Sequence, residues 1–545
     1  METLVIGIDG GEWDVIEPLI EDGHLPNLSG LIESGVCGDL ESITPPVSPP
    51  AWTSIQTGTN PGKHGIFDFT TFDAEYKRRS INASDRQAAP FWRVMNDHRT
   101  KTGLFKVPFT YPPGEVDGFL VTGFPTPDMV DDYTVPDRLS DDIGSPSRLF
   151  ESWDYQDQGQ YEAFKDNLVA VAERQTSLLE GILNDQDPEF LMTVYDGSDR
   201  IQHFFWKYFD ESHPRHTTDP VLSKAFKEYY QSVDEGIGRL LDNAGSDTNV
   251  VVLSDHGFGP LTSDIYIEEW LEQKGFLSRK DPKQTTERVK SLAATVVGGA
   301  WDIARRIGVK HHVKSVLPAS WFERGSELQD ESKRAINWEQ TDAFFSTVSG
   351  QSIFINLKER FSCGTVSQES YDEVVNSLSS SLRQIKHPET GEPLVREVVR
   401  ADKAFQGPAV TDGPDLVVET VPGYTLKGGR SETLVRPSMQ NNNDRSGDHR
   451  RNGILIANGP AFTNGTVESA SVLDIAPTLL YLHRCPVPEN VDGDVLTSIF
   501  ESRATASREI TYTTAYQEDT DDTRQWSDEE EAELEDRLSS MGYLN

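Results

Sequence analysis

Short apolar runs alternate with amphipathic stretches along the chain, and several runs end at an acidic or polar residue. We predict strands at four of these runs: Thr3 to Ile8, Phe190 to Val194, Val250 to Leu253 and Ile454 to Ala457. Runs that are apolar at nearly every position are typical of parallel sheets with both faces covered. Helical patterns lie between the strands, at Tyr161 to Leu183, Pro220 to Leu241 and Ser471 to Tyr481.

The alternation of strands and helices predicts an α/β fold with a doubly wound, mostly parallel sheet flanked by helices. In such sheets ligands bind beyond the carboxyl ends of the strands. Acidic residues occur at those ends: Asp9 closes the first strand, Asp196 and Asp199 follow the second, and Asp255 follows the third. The sequence therefore predicts a polar site at this edge of the sheet.

Two stretches depart from the sheet pattern. Residues 264–335 are polar and helical and directly follow a strand, so we predict a helical insertion that lies beside the site as a lid. Strand and helix signals resume over 365–422. We therefore predict one catalytic domain over residues 1–500 and an acidic C-terminal tail over 501–545.

The acidic tail contains one helical signal. Ser527 and Glu530 form a capping-box pattern, and Leu534 and Leu538 add a narrow apolar stripe. Two outcomes stay open for this segment: a short helix that packs by one edge, or a disordered tail.

Acidic residues outnumber basic ones 89 to 50, which gives a formal net charge of −39. With scarce lysine and a hydrophobic content of 36 %, this composition resembles that of proteins from salt-loving archaea. Mutual repulsion between like charges destabilises a compact state. Molar salt has a screening length of about 3 Å and therefore weakens this repulsion. We predict a halophilic protein, with an acidic mesophilic protein as the alternative. Nucleic acid is not an expected partner, because no net positive surface is present.

The compartment is predicted from three features. Cys37, Cys363 and Cys485 are too scattered for a disulfide framework or a zinc ribbon. The first residues lack the basic region of a signal peptide and lead directly into a strand. No run approaches the roughly 18 apolar residues of a membrane span. We predict a cytoplasmic protein without membrane contact and leave its oligomeric state open.

Candidate metal ligands follow the strands. Two glycines follow Asp9, so its carboxylate can reach a ligand, although an N-cap role is an alternative. Asp255 and His256 place an oxygen and an imidazole on one loop, which suits zinc or a similar divalent ion. If residues 199–203 are helical, Asp199 and His203 share one face. His449 precedes the last strand. Solvated or structural roles are the alternatives for these residues.

The segment from Thr44 to Ile66 contains a candidate nucleophile. Ser48 precedes Pro49 and Pro50, and proline is tolerated in the first turn of a helix. We therefore predict that Ser48 is the N-cap of a helix, where the helix dipole stabilises an alkoxide or a bound phosphate. An ordinary capping serine is the alternative.

The order and spacing of these residues resemble the type I phosphodiesterase/nucleotide pyrophosphatase group of the alkaline phosphatase superfamily. The most specific match is the pattern Thr57-Gly58, Pro61 and His64-Gly65-Ile66, and counting back nine residues from Thr57 places the nucleophile of the group on Ser48. The resemblance covers about residues 3 to 500 apart from the insertion. It implies an alkaline-phosphatase-like sheet.

The resemblance also implies a hydrolase of phosphoric esters with two divalent metal ions, zinc as first choice and manganese as the alternative. It assigns the ligands in two sets: Asp9, Asp255, His256 and the Ser48 oxygen, and Asp199, His203 and His449. Ser48 would attack phosphorus and form a covalent phospho-enzyme. The implied substrate is a small-molecule phosphate ester that the sequence does not name.

One departure and three rivals qualify this resemblance. The group has an asparagine three residues after the nucleophile, and this chain has Ala51; Lys63 or Lys106 are candidate replacements for substrate binding. Basic pairs at Arg450–Arg451 and Arg78–Arg79 leave a phosphomonoesterase or phosphomutase open. The pattern around a sulfatase nucleophile is missing, and an inactive scaffold is disfavoured because every implied ligand position is filled.

Overall fold

The computed structural model describes residues 1–151, 159–280, 336–345, 350–438, 445–502, 508–516 and 524–540. The strands are β1 (Thr3–Ile8), β2 (Val36–Glu41), β3 (Thr70–Phe72), β4 (Arg78–Ser80), β5 (Thr102–Val107), β6 (Gly118–Thr122), β7 (Thr134–Val135), β8 (Phe190–Tyr195), β9 (Asn249–Leu253), β10 (Gly257–Tyr266), β11 (Ala343–Phe345), β12 (Ser352–Ile355), β13 (Val395–Arg400), β14 (Leu416–Thr420), β15 (Gly423–Lys427), β16 (Val435–Pro437), β17 (Gly447–Arg450), β18 (Asn452–Asn458), β19 (Gly465–Thr466), β20 (Val487–Pro488) and β21 (Tyr512–Thr513). The α-helices are α1 (Trp13–Glu21), α2 (Pro26–Ser34), α3 (Ser48–Thr57), α4 (Pro61–His64), α5 (Phe91–Asp97), α6 (Leu139–Ile143), α7 (Tyr161–Leu183), α8 (Gly197–Phe209), α9 (Ala225–Ala244), α10 (Ile267–Gln273), α11 (Tyr371–Leu382), α12 (Ala401–Ala404), α13 (Ile475–Leu482) and α14 (Asp528–Ser540).

A nine-stranded sheet forms the centre of the protein, with the order β19-β2-β18-β9-β1-β8-β5-β6-β7. Strands β9, β1, β8, β5 and β6 are parallel to one another. Along β1 the core side chains alternate between the faces: Leu4, Ile6 and Ile8 pack under α1, α2, α7, α8 and α9, and Val5 packs under α3, α5 and α13. This arrangement confirms the predicted α/β class with a mostly parallel sheet between two helical layers.

The strand predicted at Ile454 to Ala457 is present as β18, but it is antiparallel to its neighbours β9 and β2. The predicted parallel direction was wrong for this strand. Its register explains why: β17 and β18 run back along β10 and β9, so that Gly257 pairs with Arg450 and Leu253 with Leu455. An apolar run shows that a strand is buried on both faces, and it does not show the direction of the strand.

A second sheet, β11-β12-β14-β13, lies outside the central one and has its own hydrophobic core with α10 and α11. Strand β10 extends from the site and pairs with β15, β16 and β17. The insertion predicted over 264–335 falls mostly on residues 281–335, which lie outside the described residues. The described part contains the end of β10 and helix α10, and the division of the chain into one domain and a tail stays a prediction.

The C-terminal segment contains the helix that the sequence offered as one alternative. The Ser527 hydroxyl accepts from the backbone N–H of Glu530, and the Glu530 carboxylate accepts from that of Ser527, so the capping box is formed. Leu534 and Leu538 are buried. All three cysteines are free thiols. Among the helices of the described residues, none is long and apolar enough to cross a membrane.

Candidate metal centre and nucleophile

The first cluster of ligand atoms forms where β1 and β9 end side by side. Gly7 and Leu253 are neighbours in the sheet, so Asp9 follows one strand at the place where Asp255 and His256 follow the other. Ligand atoms of these three side chains lie within 4.8 Å of one another, and all three residues are buried. Asp9 does not cap α1, because Glu12 accepts from the backbone N–H of Asp14 at that helix.

The second cluster forms around the first turn of α8. The helix begins directly after β8, and Asp199 and His203 lie one turn apart on the same face. Strand β17 adds His449, which is opposite Phe258 in the register with β10. His449 Nε2 is 3.1 Å from Asp199 Oδ1 and 3.1 Å from His203 Nε2, and His203 Nε2 is 3.3 Å from Asp199 Oδ1. Three ligand atoms thus converge on one point.

The imidazole tautomers suit metal binding. Nδ1 of His203 lies 2.9 Å from the carbonyl of Gly447, Nδ1 of His449 lies 3.0 Å from that of Pro46, and Nδ1 of His256 lies 3.1 Å from that of Gly257. A carbonyl only accepts hydrogen bonds, so Nδ1 of His449 and of His256 carries the proton and their Nε2 atoms present a lone pair, whereas Nδ1 of His203 also lies 2.9 Å from the donor Nη2 of Arg445. Such backbone contacts fix the orientation of histidine ligands in metalloproteins.

The charges of the first cluster are not balanced by the described protein groups. Asp9 Oδ1 and Asp255 Oδ2 are buried and have no hydrogen-bond partner among the described residues. Burial and the neighbouring Asp255 raise the pKa of Asp9 well above its usual range, and burial raises the pKa of Asp255 to about 7. A divalent cation would restore the charged form of both carboxylates, and mixed carboxylate and imidazole donors suit zinc or manganese.

Burial also keeps His203 and His256 in the neutral form that binds metals. Burial and the nearby Arg445 lower the pKa of His203 to about 4, and burial and His449 lower the pKa of His256 well below its usual range. The residues of both clusters therefore fit a divalent ion.

Ser48 lies beside the first cluster, with its Oγ 3.2 Å from Nε2 of His256. The prediction that Ser48 is the N-cap was wrong by one residue: Val47 is the N-cap, with φ −125° and ψ 137°, and its carbonyl accepts from the N–H of Ala51. The Ser48 hydroxyl remains at the positive end of α3. One turn along, Trp52 donates from Nε1 to Asp9 Oδ2 over 3.0 Å and ties the helix to the cluster.

The motif from Thr57 to Ile66 closes α3 and holds its end in place. Gly58 ends the helix in the left-handed conformation with φ 66°, which favours glycine. His64 is fully buried; its Nε2 lies 3.1 Å from the Ser54 hydroxyl, and its Nδ1 accepts from the N–H of Ile66. The motif therefore supports the helix that presents Ser48.

The two lysines proposed for substrate binding are engaged elsewhere. Lys63 bonds the carbonyl of Asn490 and forms an ion pair with Asp492. Lys106 is buried, and its ammonium group donates to Asp196 over 2.8 Å and to Gln175 over 3.0 Å. Neither set of contacts favours a role in binding substrate.

The remaining substrate-binding candidates can also be located. Ala51 is fully buried in α3. Arg450 donates to the carbonyls of His449 and Pro260, next to the clusters. Arg451 pairs with Glu41 and Glu419, and Arg79 pairs with Asp85. These basic residues therefore have acidic or carbonyl partners of their own.

Sequence reasoning missed three polar residues at the clusters. Trp52 could have been found from the sequence, because it follows Ser48 by four residues and therefore lies on the same face of α3. Arg200 contacts Asp199, and Arg445 approaches the ring of His203, with Nη2 2.9 Å from Nδ1. Neither arginine belongs to the motif pattern, so only the structure reveals their contacts.

Three comparisons with known proteins show what this chain is similar to. The model of the type I phosphodiesterase / nucleotide pyrophosphatase family matches residues 3–452. A search of curated protein sequences found no significant match. Among solved structures, human ectonucleotide pyrophosphatase / phosphodiesterase 5 is similar at TM-score 0.49 and 14 % identity, covering 92 % of this chain and 100 % of that one. Phosphonoacetate hydrolase from Sinorhizobium meliloti 1021, in complex with phosphonoformate, reaches TM-score 0.50 at 14 % identity, covering 89 % and 95 %. The latter match shows the fold.

Proposed function

We propose, since the chain belongs to the type I phosphodiesterase / nucleotide pyrophosphatase family, that it hydrolyses phosphodiester or pyrophosphate bonds of a small substrate. The family is metal-dependent and acts on phosphoric esters. Ser48 is the proposed nucleophile. Asp9, Asp255 and His256, together with the Ser48 oxygen, would hold one divalent ion, and the set of Asp199, His203 and His449 would hold the other.

The observation that carries the proposal is the place of Ser48. Its Oγ lies 3.2 Å from the ligand atom of His256, next to a cluster with two buried carboxylate oxygens that have no hydrogen-bond partner among the described residues. Ser48 is also the first residue of α3, where the helix dipole favours negative charge. A serine in this position can react as an alkoxide.

A pair of divalent ions would supply Lewis acidity, lowering the pKa of a coordinated hydroxyl and balancing charge on the attacking and leaving oxygens. The chain supplies the rest. Ser48 Oγ forms a bond to phosphorus as the bond between phosphorus and the leaving oxygen breaks, which releases the first product; water then cleaves the bond between phosphorus and Oγ and releases the remaining phosphate ester. Trp52 holds Asp9 Oδ2, so that Oδ1 faces the cluster. The three Nδ1–carbonyl contacts hold the imidazoles in place.

The test is a substrate panel with the protein in zinc or manganese: a bis-aryl phosphate, a mono-aryl phosphate and an aryl sulfate. The proposal expects fastest turnover of the diester and loss of turnover after chelation. Preference for the monoester would favour a phosphomonoesterase on the same fold. Metal-replete protein that turns over none of the three would count against the proposed activity and for an inactive scaffold.

A further inference from the structure

Arg200 joins two buried carboxylates next to the second cluster. Its Nη1 donates to Asp199 Oδ2 over 2.5 Å, and its Nε donates to Glu151 Oε1 over 3.1 Å. All three side chains are at most 7 % exposed. A guanidinium group presents its donors in a rigid planar fork, so it can fix two acceptors at once. Arg200 thus connects a candidate metal ligand to the loop that contains Glu151.

The contacts divide the two oxygens of Asp199 between different partners. Oδ2 receives the hydrogen bond from Arg200, and Oδ1 faces Nε2 of both His203 and His449 at 3.3 and 3.1 Å. With Oδ2 engaged, one oxygen is left to bind an ion in company with the two imidazoles. The same contact prevents the carboxylate from turning about its χ2 torsion.

A second buried ion pair holds the start of α8, the helix that presents Asp199. Lys106 lies at a bulge in β5, with a left-handed φ of 56°, and its ammonium group reaches the N-cap residue Asp196. Gln175 on α7 accepts from the same ammonium and donates to the carbonyl of Val194. These contacts fix the first turn of α8, which contains both Asp199 and Arg200. The Arg200 side chain can therefore hold Asp199 in one orientation.

We infer that Arg200 is a positioning residue for the second metal: its bond to Asp199 Oδ2 presents Oδ1 alone to the ion. This inference rests on the proposed function. Partners that orient metal ligands typically change metal affinity about 10- to 100-fold when they are removed. A purely structural ion pair would change stability and leave the affinity of the bound ions unaltered.

The test compares Arg200→Gln with a matched control, Arg279→Gln. Arg279 is also buried and joins two carboxylates, with Nη2 3.0 Å from Glu268 and Nε 3.0 Å from Glu272, but it contacts neither cluster through these bonds. Metal-free protein is titrated with Zn²⁺ in competition with a chelator, which gives an affinity for each ion. His203→Ala identifies the ion that belongs to the second cluster.

Arg200→Gln should lower the affinity for the second ion about 10-fold or more and leave the affinity for the first ion within about two-fold of wild type. Arg279→Gln should change neither affinity. Glu151→Gln keeps the shape of the side chain and weakens its ion pair with Arg200. This variant should also lower the affinity for the second ion, but by less than Arg200→Gln. If Arg200→Gln does not fold, Arg200→Lys replaces it, because a lysine keeps the charge and cannot grip both carboxylates.

Three results overturn the inference in distinguishable ways. Wild-type protein that binds two ions, with unchanged affinities in the Arg200 variants, overturns the positioning role and leaves the proposed function standing. Wild-type protein that binds no divalent ion overturns the proposed function and the inference with it. Equal weakening of both ions would show a general structural effect of Arg200 and would also overturn the inference.

Discussion

The imidazole ring of His256 stacks on that of His449, with ring centroids 3.8 Å apart and the planes 22° from parallel. The two residues come from distant parts of the chain and belong to different clusters. Both rings are held through Nδ1 by backbone carbonyls, so each Nε2 points to its own cluster. The two candidate metal clusters therefore lie side by side, and Ser48 lies next to the first of them.

The division into two clusters predicts that the ions can be removed separately. His203→Ala should lower the metal content chiefly at the second cluster, and His256→Ala chiefly at the first, because each variant removes one of three protein ligands. Elemental analysis of dialysed protein should find close to two ions per wild-type chain and close to one in each variant. Fully active wild-type protein that contains no metal would contradict the mechanism.

Buried neutral histidine should make the stability of the protein depend on pH. Burial lowers the pKa of His64 to about 3, whereas an unfolded histidine titrates near 6.5. As pH falls from about 6.5 toward 3, the unfolded chain takes up a proton that the folded protein does not. The free energy of unfolding therefore falls with pH, by up to about 1.4 kcal/mol per pH unit for this group.

This contribution is measured by urea denaturation of chelator-treated protein across that pH range. His64→Gln should be less stable at pH 7, because it disturbs the contacts with Ser54 and Ile66, and its stability should depend less steeply on pH. His98→Gln is the matched control, since His98 is exposed and should leave the pH dependence unchanged. Equal pH dependence in wild type and His64→Gln would refute the prediction.

The C-terminal helix should contribute to global stability. Leu538 is 2 % exposed and belongs to the main hydrophobic core, and Trp526 stacks on Tyr111 with centroids 5.5 Å apart. Leu538→Ala should lower the free energy of unfolding by about 2–5 kcal/mol, as expected for a buried leucine. Glu529→Ala, an exposed change in the same helix, should stay within about 0.5 kcal/mol of wild type. Urea denaturation of both variants gives the comparison.

Sequence reasoning reached the parts of the fold that depend on local pattern. The buried strands β1, β8 and β9 and helix α7 lie where apolar periodicity placed them, and the acids at the strand ends come together because parallel strands end at one edge. The helix predicted from Pro220 begins later than expected: a short 3₁₀ turn, Leu222–Lys224, comes first, and the α-helix α9 begins at Ala225.

The parts that sequence reasoning missed depend on contacts between distant residues. The antiparallel direction of β18 follows from its pairing with β9, which no local pattern encodes. The bonds of Arg200 to Asp199 and Glu151 depend on how α8 packs against a loop some 50 residues earlier in the chain. The N-cap of α3 is Val47 and not Ser48 because Val47 has extended backbone torsion angles, and the sequence pattern does not determine the torsion angles of a single residue.

We expect the protein to require concentrated salt. With 89 acidic and 50 basic residues, the chain has a formal net charge of −39, and the mutual repulsion needs screening. Circular dichroism on dilution from about 2 M to about 0.05 M KCl should show loss of structure, because the screening length grows several-fold. Equal dilution into buffer that keeps KCl at about 2 M serves as the control for dilution itself. Retained structure and activity at low salt would exclude the halophilic interpretation.

The final prediction concerns Ser48. Ser48→Ala should keep its fold and both ions, because the backbone start of α3 and the Asp and His ligands of both clusters are unchanged. Its turnover of a diester should fall about 10³-fold or more, as expected when a covalent route is removed. Ser48→Thr should retain activity, since it keeps a hydroxyl at the same position. Steady-state kinetics and metal analysis of the two variants give the test.

Thr44 is the control for this assignment, because it too precedes a pair of prolines. It lies four residues before the first residue of α3, so its hydroxyl lacks the helix N-terminus that stabilises an alkoxide at Ser48. The contact of 3.2 Å to His256 also belongs to Ser48. Thr44→Ala should therefore cost far less activity than Ser48→Ala. If Ser48→Ala turned over the diester at nearly the wild-type rate while Thr44→Ala did not, the nucleophile would be Thr44.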